Sequence, residues 1–490
     1  SQFSMGSETR KDKYIYKSIG LSNYSKGFLN NYRNPLDDDE TNFELTYCYN
    51  CGYVDENLSS IENCPTCNVD NSEGFKSFKI LDPDNYIADP VIQVQKMYRE
   101  RGKFLKKFYS FINSSENKFN KESQNCFSKY GYIDVFSIND NDQAGYKFKI
   151  LNKTKDLKPG NSWGTILLSS TSDLGQLNTG DFVETPLGDD KWFFAKNQSH
   201  ELYGVGNKKL TNSLLFQAIK DDENIDLDYL KNSGKEPKDD LQFYNFPNKY
   251  FSNSRYTAWF SAGEILKKFA TQKILECDSD EIEQDVGYFS RNNETREKPT
   301  IYLSDTLANG SGFTKKLFEE DIYTNNNELK NYINSLNAKD CCIDSCYSCL
   351  KTYGNRFSHD NLNLKLGIDL IKILLGEDIK TNFFNYEKKL IDYVIKDFTD
   401  EGYSIELLSF KENVEESHVF RVQSDLMKES VLFFTLSHPL EGWNFRYKDA
   451  FRALYDIYDL DPEELFSIDY LDVIRNPIAA FVEYKRTING

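Results

Sequence analysis

Residues 341–359 read CCIDSCYSCLKTYGNRFSH, and residues 362–376 continue as LNLKLGIDLIKILLG. Four cysteines, Cys341, Cys342, Cys346 and Cys349, fall within nine residues, just before an abrupt return to helical periodicity. Thiolates this dense in a long chain point to a metal ion rather than to disulfides. Cys342-x3-Cys346-x2-Cys349 supplies three ligands. The fourth is Cys341 or His359; two adjacent cysteines share one ion only with local strain, yet the cluster has no other nearby thiolate. Immediately upstream, residues 301–313 read IYLSDTLANGSGF, a strand followed by a glycine-rich turn.

A second cluster lies near the other end. Cys48-Tyr-Asn-Cys51, twelve residues, then Cys64-Pro-Thr-Cys67 form two knuckles, with Gly52 after the first and Pro65 inside the second. The two-residue gap lets backbone amides point at the thiolates, and two such knuckles complete a tetrahedral zinc site, a zinc ribbon. Four cysteines close the coordination shell, so this site reads as a fold staple. A segment this polar could hardly build a core alone. Two zinc ions per chain are expected.

Length and charge bound the rest. At 490 residues the chain should divide into two to four domains. Aromatic residues make up 15% of it, 36 Phe and 32 Tyr, so large rings must do much of the packing. With 59 basic against 77 acidic residues, the net charge of −18 argues against a general phosphate-coating surface, although a local basic groove is compatible with it. There is no apolar run of about 18 residues, so no membrane span is expected, and no secretory leader is recognisable at the start. The first residues, SQFSMGS, are set aside from the fold reading.

Along the chain, a strand is expected at Tyr14–Ile19 and a helix within Asn85–Ser115. That helix would carry the basic residues Arg99, Arg101, Lys103, Lys106 and Lys107. Strands dominate from Tyr130 to Phe216, and residues 218–250 read as a long acidic surface loop. Arg255–Leu275 is an amphipathic helix (Trp259, Ala262, Ile265, Leu266, Phe269), followed by strands at Asp285–Phe289 and Thr300–Leu303. Past Gly376 come a helix (Tyr386–Asp397), strands (Ser404–Phe410, His418–Val422, Val431–Ser437), a helix (Asp449–Tyr458) and a last strand around Ile478–Tyr484. There are no internal repeats.

Catalytic motifs are scarce. The sequence has no G-x-x-x-x-G-K-[ST], no H-E-x-x-H and no G-x-S-x-G. The four histidines (His200, His359, His418, His438) leave little room for imidazole catalysis. Asn309-Gly-Ser-Gly312 could gather backbone amides at a helix N-terminus, or simply be a tight turn. Glu483-Tyr-Lys485, on the expected last strand and with Asp469 and Asp472 upstream, has the form in which restriction-type nucleases hold Mg²⁺.

One family resemblance takes in most of these features. Asp305-Thr, Gly310-Ser-Gly312, Cys342, Cys346-Tyr-Ser-Cys349-Leu-Lys-Thr-Tyr353-Gly-Asn355 and His359 together resemble the signature of the MrfA-type zinc-binding (MZB) domain. That domain occurs in bacterial DEAD/DEAH-box helicases and in DrmB of the DISARM phage-defence system. Leu210-Thr-Asn-Ser-Leu214 and the helix at 255–275 are similar to elements leading up to it. His438-Pro-Leu440 and Arg475-Asn-Pro477 are similar to tail motifs of the defence-associated branch. The chain departs from the family at Leu362-Asn363-Leu364, where Leu-Asp-Arg is usual, and the helicase motor that normally accompanies the domain is not expected within these residues.

The expected fold is α+β and multidomain: a zinc ribbon, a β-rich core with an MZB-type zinc-binding domain, and a small C-terminal α/β domain. The expected boundaries are 1–40 (N-terminal segment), 41–85 (ribbon), 86–255 (linker helix and β-rich domain), 256–376 (zinc-binding domain) and 377–490 (α/β domain). The resemblance implies a non-motor, non-enzymatic module of a helicase, or a separate subunit partnering one, that assists DNA binding in antiphage defence or DNA repair. A bacterial cytoplasmic location and no membrane contact are expected. An Mg²⁺-dependent nuclease using Asp472, Glu483 and Lys485, and a pure protein-interaction scaffold, are the alternatives.

Overall fold

Strand Phe43–Cys48 (FELTYC) pairs antiparallel with Phe75–Leu81, in a register running from Phe43 opposite Ile80 to Cys48 opposite Phe75. Both are rich in residues that suit a pleated, half-buried surface. The computed structural model describes residues 8–11, 14–24, 32–33, 41–56, 61–72, 74–82, 85–88, 93–94, 106–111, 119–123, 125–141, 143–146, 148–152, 162–168, 182–184, 191–198, 202–219, 225–229, 252–291, 298–320, 327–339, 341–377, 380–412, 415–424, 431–442, 454, 457–458 and 464–489. The architecture is mixed α+β and multidomain. Two compact units form: residues 1–112 with 133–210, and residues 113–132 with 211–490.

In the first unit, the Phe43–Cys48 and Phe75–Leu81 pair is extended by Val54–Asp55 on one side, and Tyr203–Val205 runs parallel to Lys79–Leu81 on the other. Lys106–Phe111 pairs with Ile133–Ile138. Leu45, Tyr47, Phe78, Ile80, Phe108, Phe136 and Ile138 close the core. Two tyrosine hydroxyls, of Tyr47 and Tyr49, donate to the Asp140 carboxylate at 2.6 Å each. A further antiparallel sheet is organised on Tyr14–Tyr24, which pairs with Glu8–Lys11, Asn85–Ala88, Gln93–Val94 and Ser162–Leu168. It continues through Phe148–Asn152 and Lys191–Gln198 to Phe182–Glu184.

The helix expected within Asn85–Ser115 does not form where that span is described: Asn85–Ala88, Gln93–Val94 and Lys106–Phe111 are strands. Arg99, Arg101 and Lys103 lie outside the described residues. Phe108 explains the last strand, because its ring centroid lies 4.8 Å from that of Tyr47 and 5.9 Å from that of Tyr49. Aromatic contacts across a sheet override a helical spacing of apolar residues.

In the second unit, Thr211–Ala218, Lys298–Asp305 and Ile282–Phe289 form an antiparallel sheet. Leu214 lies opposite Leu303, and Ile301 opposite Val286. These residues share one face, against which helix α1 (Ser252–Phe269) lays Ala258, Trp259, Ala262, Ile265, Leu266 and Phe269. The helix overruns into wider turns at Ala270–Leu275 and stops at Glu276, whose φ is +51°. Helices α2 (Phe313–Glu319), α3 (Asn327–Ala338) and α4 (Leu364–Leu374) follow. Helix α4 crosses α1 at Gly367, where a Cβ would lie 2.8 Å from the Ser261 Cβ and 2.9 Å from the Ile265 Cδ1. Only glycine allows that approach.

The C-terminal part of this unit is a four-stranded sheet in the order Tyr403–Glu412, Glu415–Ser424, Leu432–Ser437, Leu465–Asp469, with the last pair parallel. Helix α5 (Lys380–Asp400) contributes Val394 and Phe398 to its core, which also holds Phe420, Phe434, Phe466 and Phe481. Two helices close the chain, α6 (Tyr470–Arg475) and α7 (Pro477–Asn489). The strand expected at Ile478–Tyr484 is therefore a helix. Pro477 suits a first helical position, and the Asn476 side chain caps it by accepting the Ala479 N–H at 2.9 Å. The strand position is filled instead by Leu465–Asp469. Among the described residues no helix is long and apolar enough to cross a membrane.

Candidate metal centres

The first cluster grows out of strand geometry. Cys48 ends Phe43–Cys48, and the chain reverses so that the Gly52 N–H donates to the Cys48 carbonyl at 2.9 Å. The second knuckle repeats the device, with the Asn68 N–H donating to the Cys64 carbonyl at 2.8 Å. The residue that turns the chain has positive φ in both, +80° at Gly52 and +59° at Asn68. Glycine and asparagine tolerate that region best. The sulfurs of Cys48 and Cys67 are 3.5 Å apart, as are those of Cys51 and Cys64, and all four lie within 4.8 Å of one another. A tetrahedron with Zn–S bonds of about 2.3 Å has S···S edges of about 3.8 Å, so the donor set fits zinc.

The thiols of this cluster differ in how readily they ionise. Thiol hydrogen bonds from Cys48 and Cys51 hold Cys64 down to about 2, while hydrogen bonding to Cys48 and Cys64, with burial, pushes Cys51 up. Four sulfurs this close, those of Cys48, Cys51 and Cys64 buried and that of Cys67 half-buried, cannot all be anionic unless a divalent charge stands between them.

The second cluster hangs on α1 and α4. Sulfur separations are 3.7 Å for Cys341 and Cys342, 3.6 Å for Cys342 and Cys349, and 3.5 Å for Cys346 and Cys341. The Cys346 N–H points at the Cys349 sulfur at 3.1 Å, and the Cys346 carbonyl accepts from the amides of Cys349, Leu350 and Lys351. Desolvation pushes Cys346 up, but hydrogen bonding with Cys341 and with the Ser348 amide outweighs it and lowers this thiol to about 6. Of the two candidates for the fourth position, Cys341 is grouped with the other three sulfurs. The His359 Nε2 instead meets the Thr352 carbonyl at 3.0 Å and the Asn355 Oδ1 at 3.1 Å. The two clusters could hold two zinc ions.

Residues that motif reading passed over hold this loop in place. Lys268 of α1 donates to the Cys349 carbonyl at 2.6 Å. Glu264, one turn earlier, accepts from Gln284 at 2.9 Å and from Asn355 at 3.1 Å. Asn363 caps α4 by accepting the Leu366 N–H at 2.9 Å and donates to Asp344 at 2.9 Å. An amide can both accept and donate; an ionised carboxylate cannot. The sequence carries a signal for this role, since Asn directly before an apolar helix is a cap pattern.

The amides at Asn309–Gly312 do converge, but on the chain's own carboxylate. Asp305 accepts from the amides of Ser311, Gly312 and Thr314 at 2.8, 2.8 and 3.0 Å. Gly310 is required there, because a Cβ would fall 2.2 Å from the Asn212 side chain.

The acidic constellation sits differently from the expectation. Glu483 and Lys485 lie on α7, and positions two apart on a helix do not share a face. Asp469 caps α6 by accepting the Leu471 N–H at 2.8 Å. Burial, with Asp472 close by, pushes its carboxyl well above the usual range. Burial raises Asp472 as well, with Arg475 opposing the shift and Glu483 adding to it. Among the described residues the only clusters with metal-ligand geometry are the two cysteine sets. His438 is also structural: its Nε2 faces Asp369 at 3.2 Å and its Nδ1 accepts the Leu440 N–H at 3.1 Å, both side chains being buried. His200 lies outside the described residues.

Residues 264–350 match the family model of the MrfA Zn-binding domain, so the chain carries an MrfA-type zinc-binding region there. Comparison with curated proteins finds no match. Among solved structures, the crystal structure of the DUF1998 helicase MrfA bound to DNA is similar at 14% identity, over 56% of this chain, with a TM-score of 0.28. The likeness spans 25% of that protein's length.

Proposed function

We propose that this chain is a non-catalytic, two-zinc module that works with a helicase motor, on the same polypeptide or as a separate subunit, and assists DNA binding. Cys48, Cys51, Cys64 and Cys67 hold one ion, and Cys341, Cys342, Cys346 and Cys349 the other. The observation that carries this reading is the match of residues 264–350 to a helicase-associated zinc-binding domain, with a four-sulfur cluster at its end. Both shells are closed by four thiols, which suits ions that staple loops rather than activate water. The tail motifs favour a role in antiphage defence or DNA repair.

Fluorescence anisotropy with single- and double-stranded DNA tests the DNA part. Binding that weakens as salt is raised supports it. No binding even at low salt overturns it and leaves a protein-interaction scaffold.

A further inference from the structure

The loop that carries the second cysteine cluster also presents aromatic rings for which the metal role has no use. Tyr347 is 71% exposed, Tyr353 77% and Ile343 73%. Single exposed rings are ordinary, but these belong to one framed group. The Arg356 guanidinium lies 4.1 Å from the Tyr353 ring centroid, and its Nη1 donates to the Tyr353 carbonyl at 2.9 Å. The Tyr347 ring stands edge-on to His359, with centroids 5.6 Å apart. The His359 ring in turn reaches Thr352 and Asn355, so both aromatic pairs share one scaffold. Asn355 stiffens it by accepting the Thr352 N–H at 2.8 Å and donating to the Leu350 carbonyl at 3.0 Å and to Glu264 at 3.1 Å. Rings already held in place lose little freedom when a ligand arrives.

Charge narrows the ligand. In residues 341–359 the basic side chains are Lys351, Arg356 and His359. The acidic one, Asp344, is engaged by Asn363 at 2.9 Å and Arg475 at 3.3 Å. On a chain of net charge −18, exposed rings, one of them with a guanidinium over it, suit a ligand with flat rings on an anionic backbone. A duplex hides the faces of its bases within its own stack, whereas a single strand offers them. We infer that Tyr347, Tyr353 and Arg356 form a stacking platform for unpaired bases of single-stranded DNA, with Lys351 and Arg356 serving the phosphates. This rests on the DNA-binding reading above and assigns it to one loop and one form of DNA.

The test uses the full chain, a fluorescein-labelled oligothymidine of about twelve nucleotides, the matching duplex, and an oligonucleotide carrying 2-aminopurine. The wild-type chain should bind the single strand more tightly than the duplex and quench 2-aminopurine, as stacking requires. Tyr353→Ala should weaken single-strand binding roughly 10-fold, and the Tyr347→Ala/Tyr353→Ala pair roughly 100-fold, with quenching lost. The Tyr347→Phe/Tyr353→Phe pair should bind as wild type, because the ring and not the hydroxyl stacks. Zinc content and melting temperature confirm that the variants fold; Tyr353→Ala, outside the cysteine spacing, serves if changes at 347 disturb the metal. Wild-type DNA binding that the alanine variants retain would overturn the platform while leaving the broader reading intact. Equal affinity for the duplex would overturn the single-strand assignment. Absence of any DNA binding would remove both.

Discussion

The Asn355 side chain donates to Glu264 at 3.1 Å, joining the loop after the last cysteine to the middle of helix α1. The two residues are 91 positions apart, and both are half-buried. Glu264 uses its other oxygen for Gln284 on the neighbouring strand, so one carboxylate holds the metal loop, the helix and the sheet together. Asn355→Asp replaces the donor with a like charge and should destabilise the chain by about 1–3 kcal/mol. The second zinc should then be released to a chelator faster than from wild type. Urea unfolding and a colorimetric zinc-release assay read the two effects; unchanged release would separate this contact from the metal site.

Elemental analysis should find two zinc ions per chain, one for each four-cysteine cluster. Cys64→Ser and Cys341→Ser should each lower that count by one, whereas His359→Ala should leave it unchanged. A loss of zinc in His359→Ala with retention in Cys341→Ser would reverse the assignment of the fourth ligand.

Arg255 is buried at 1% exposure and pairs with Asp226 at 2.9 Å, while its Nε donates to the Pro439 carbonyl at 2.8 Å. Removing one partner strands the other charge. Asp226→Ala should cost about 3–5 kcal/mol, and the double replacement Arg255→Met/Asp226→Leu distinctly less. Equilibrium denaturation of the two variants decides this; equal losses would mean that packing, and not charge, dominates there.

Asp469 sets a pH dependence. Because burial raises its carboxyl in the folded state, the folded chain keeps a proton that the unfolded chain, with a pKa of about 3.9, has already released. Stability contributed by this group is therefore present at low pH and declines as pH rises towards the folded value. Asp469→Asn preserves a cap for Leu471 and removes the penalty. Its melting temperature should match wild type near pH 4 and exceed it increasingly towards neutrality. A difference that stays flat with pH would refute the assignment.

The two cysteine clusters were legible because each is set by local spacing: a knuckle is a turn a few residues long, and C-x2-C encodes it without help from elsewhere. Helices α1 and α4 were legible for a similar reason, since their apolar stripes repeat over several turns. Short apolar runs were not. Ile478–Val482 suits strand or helix equally, and its outcome rests on the Pro477 and Asn476 start and on Phe481 packing against Phe398, 5.2 Å between centroids. Lys106–Phe111 depended in the same way on Tyr47, about sixty residues before it.

By itself, then, the sequence determined that this protein has two four-cysteine sets and a β-rich middle, since composition and short-range spacing carry that information; the MrfA-type zinc-binding stretch came from the resemblance of its motifs to that domain. Tertiary structure placed the Cys341 sulfur with those of Cys342, Cys346 and Cys349, turned the His359 ring to Thr352 and Asn355, and set Asp305 on the amides of the glycine turn. It also set Glu264 and Arg255 in the frame and gave the Asn363 cap its second partner, Asp344. The longest of these pairings, Asn355 with Glu264 and Arg255 with Pro439, span 91 and 184 residues and exist only once the chain has closed around them.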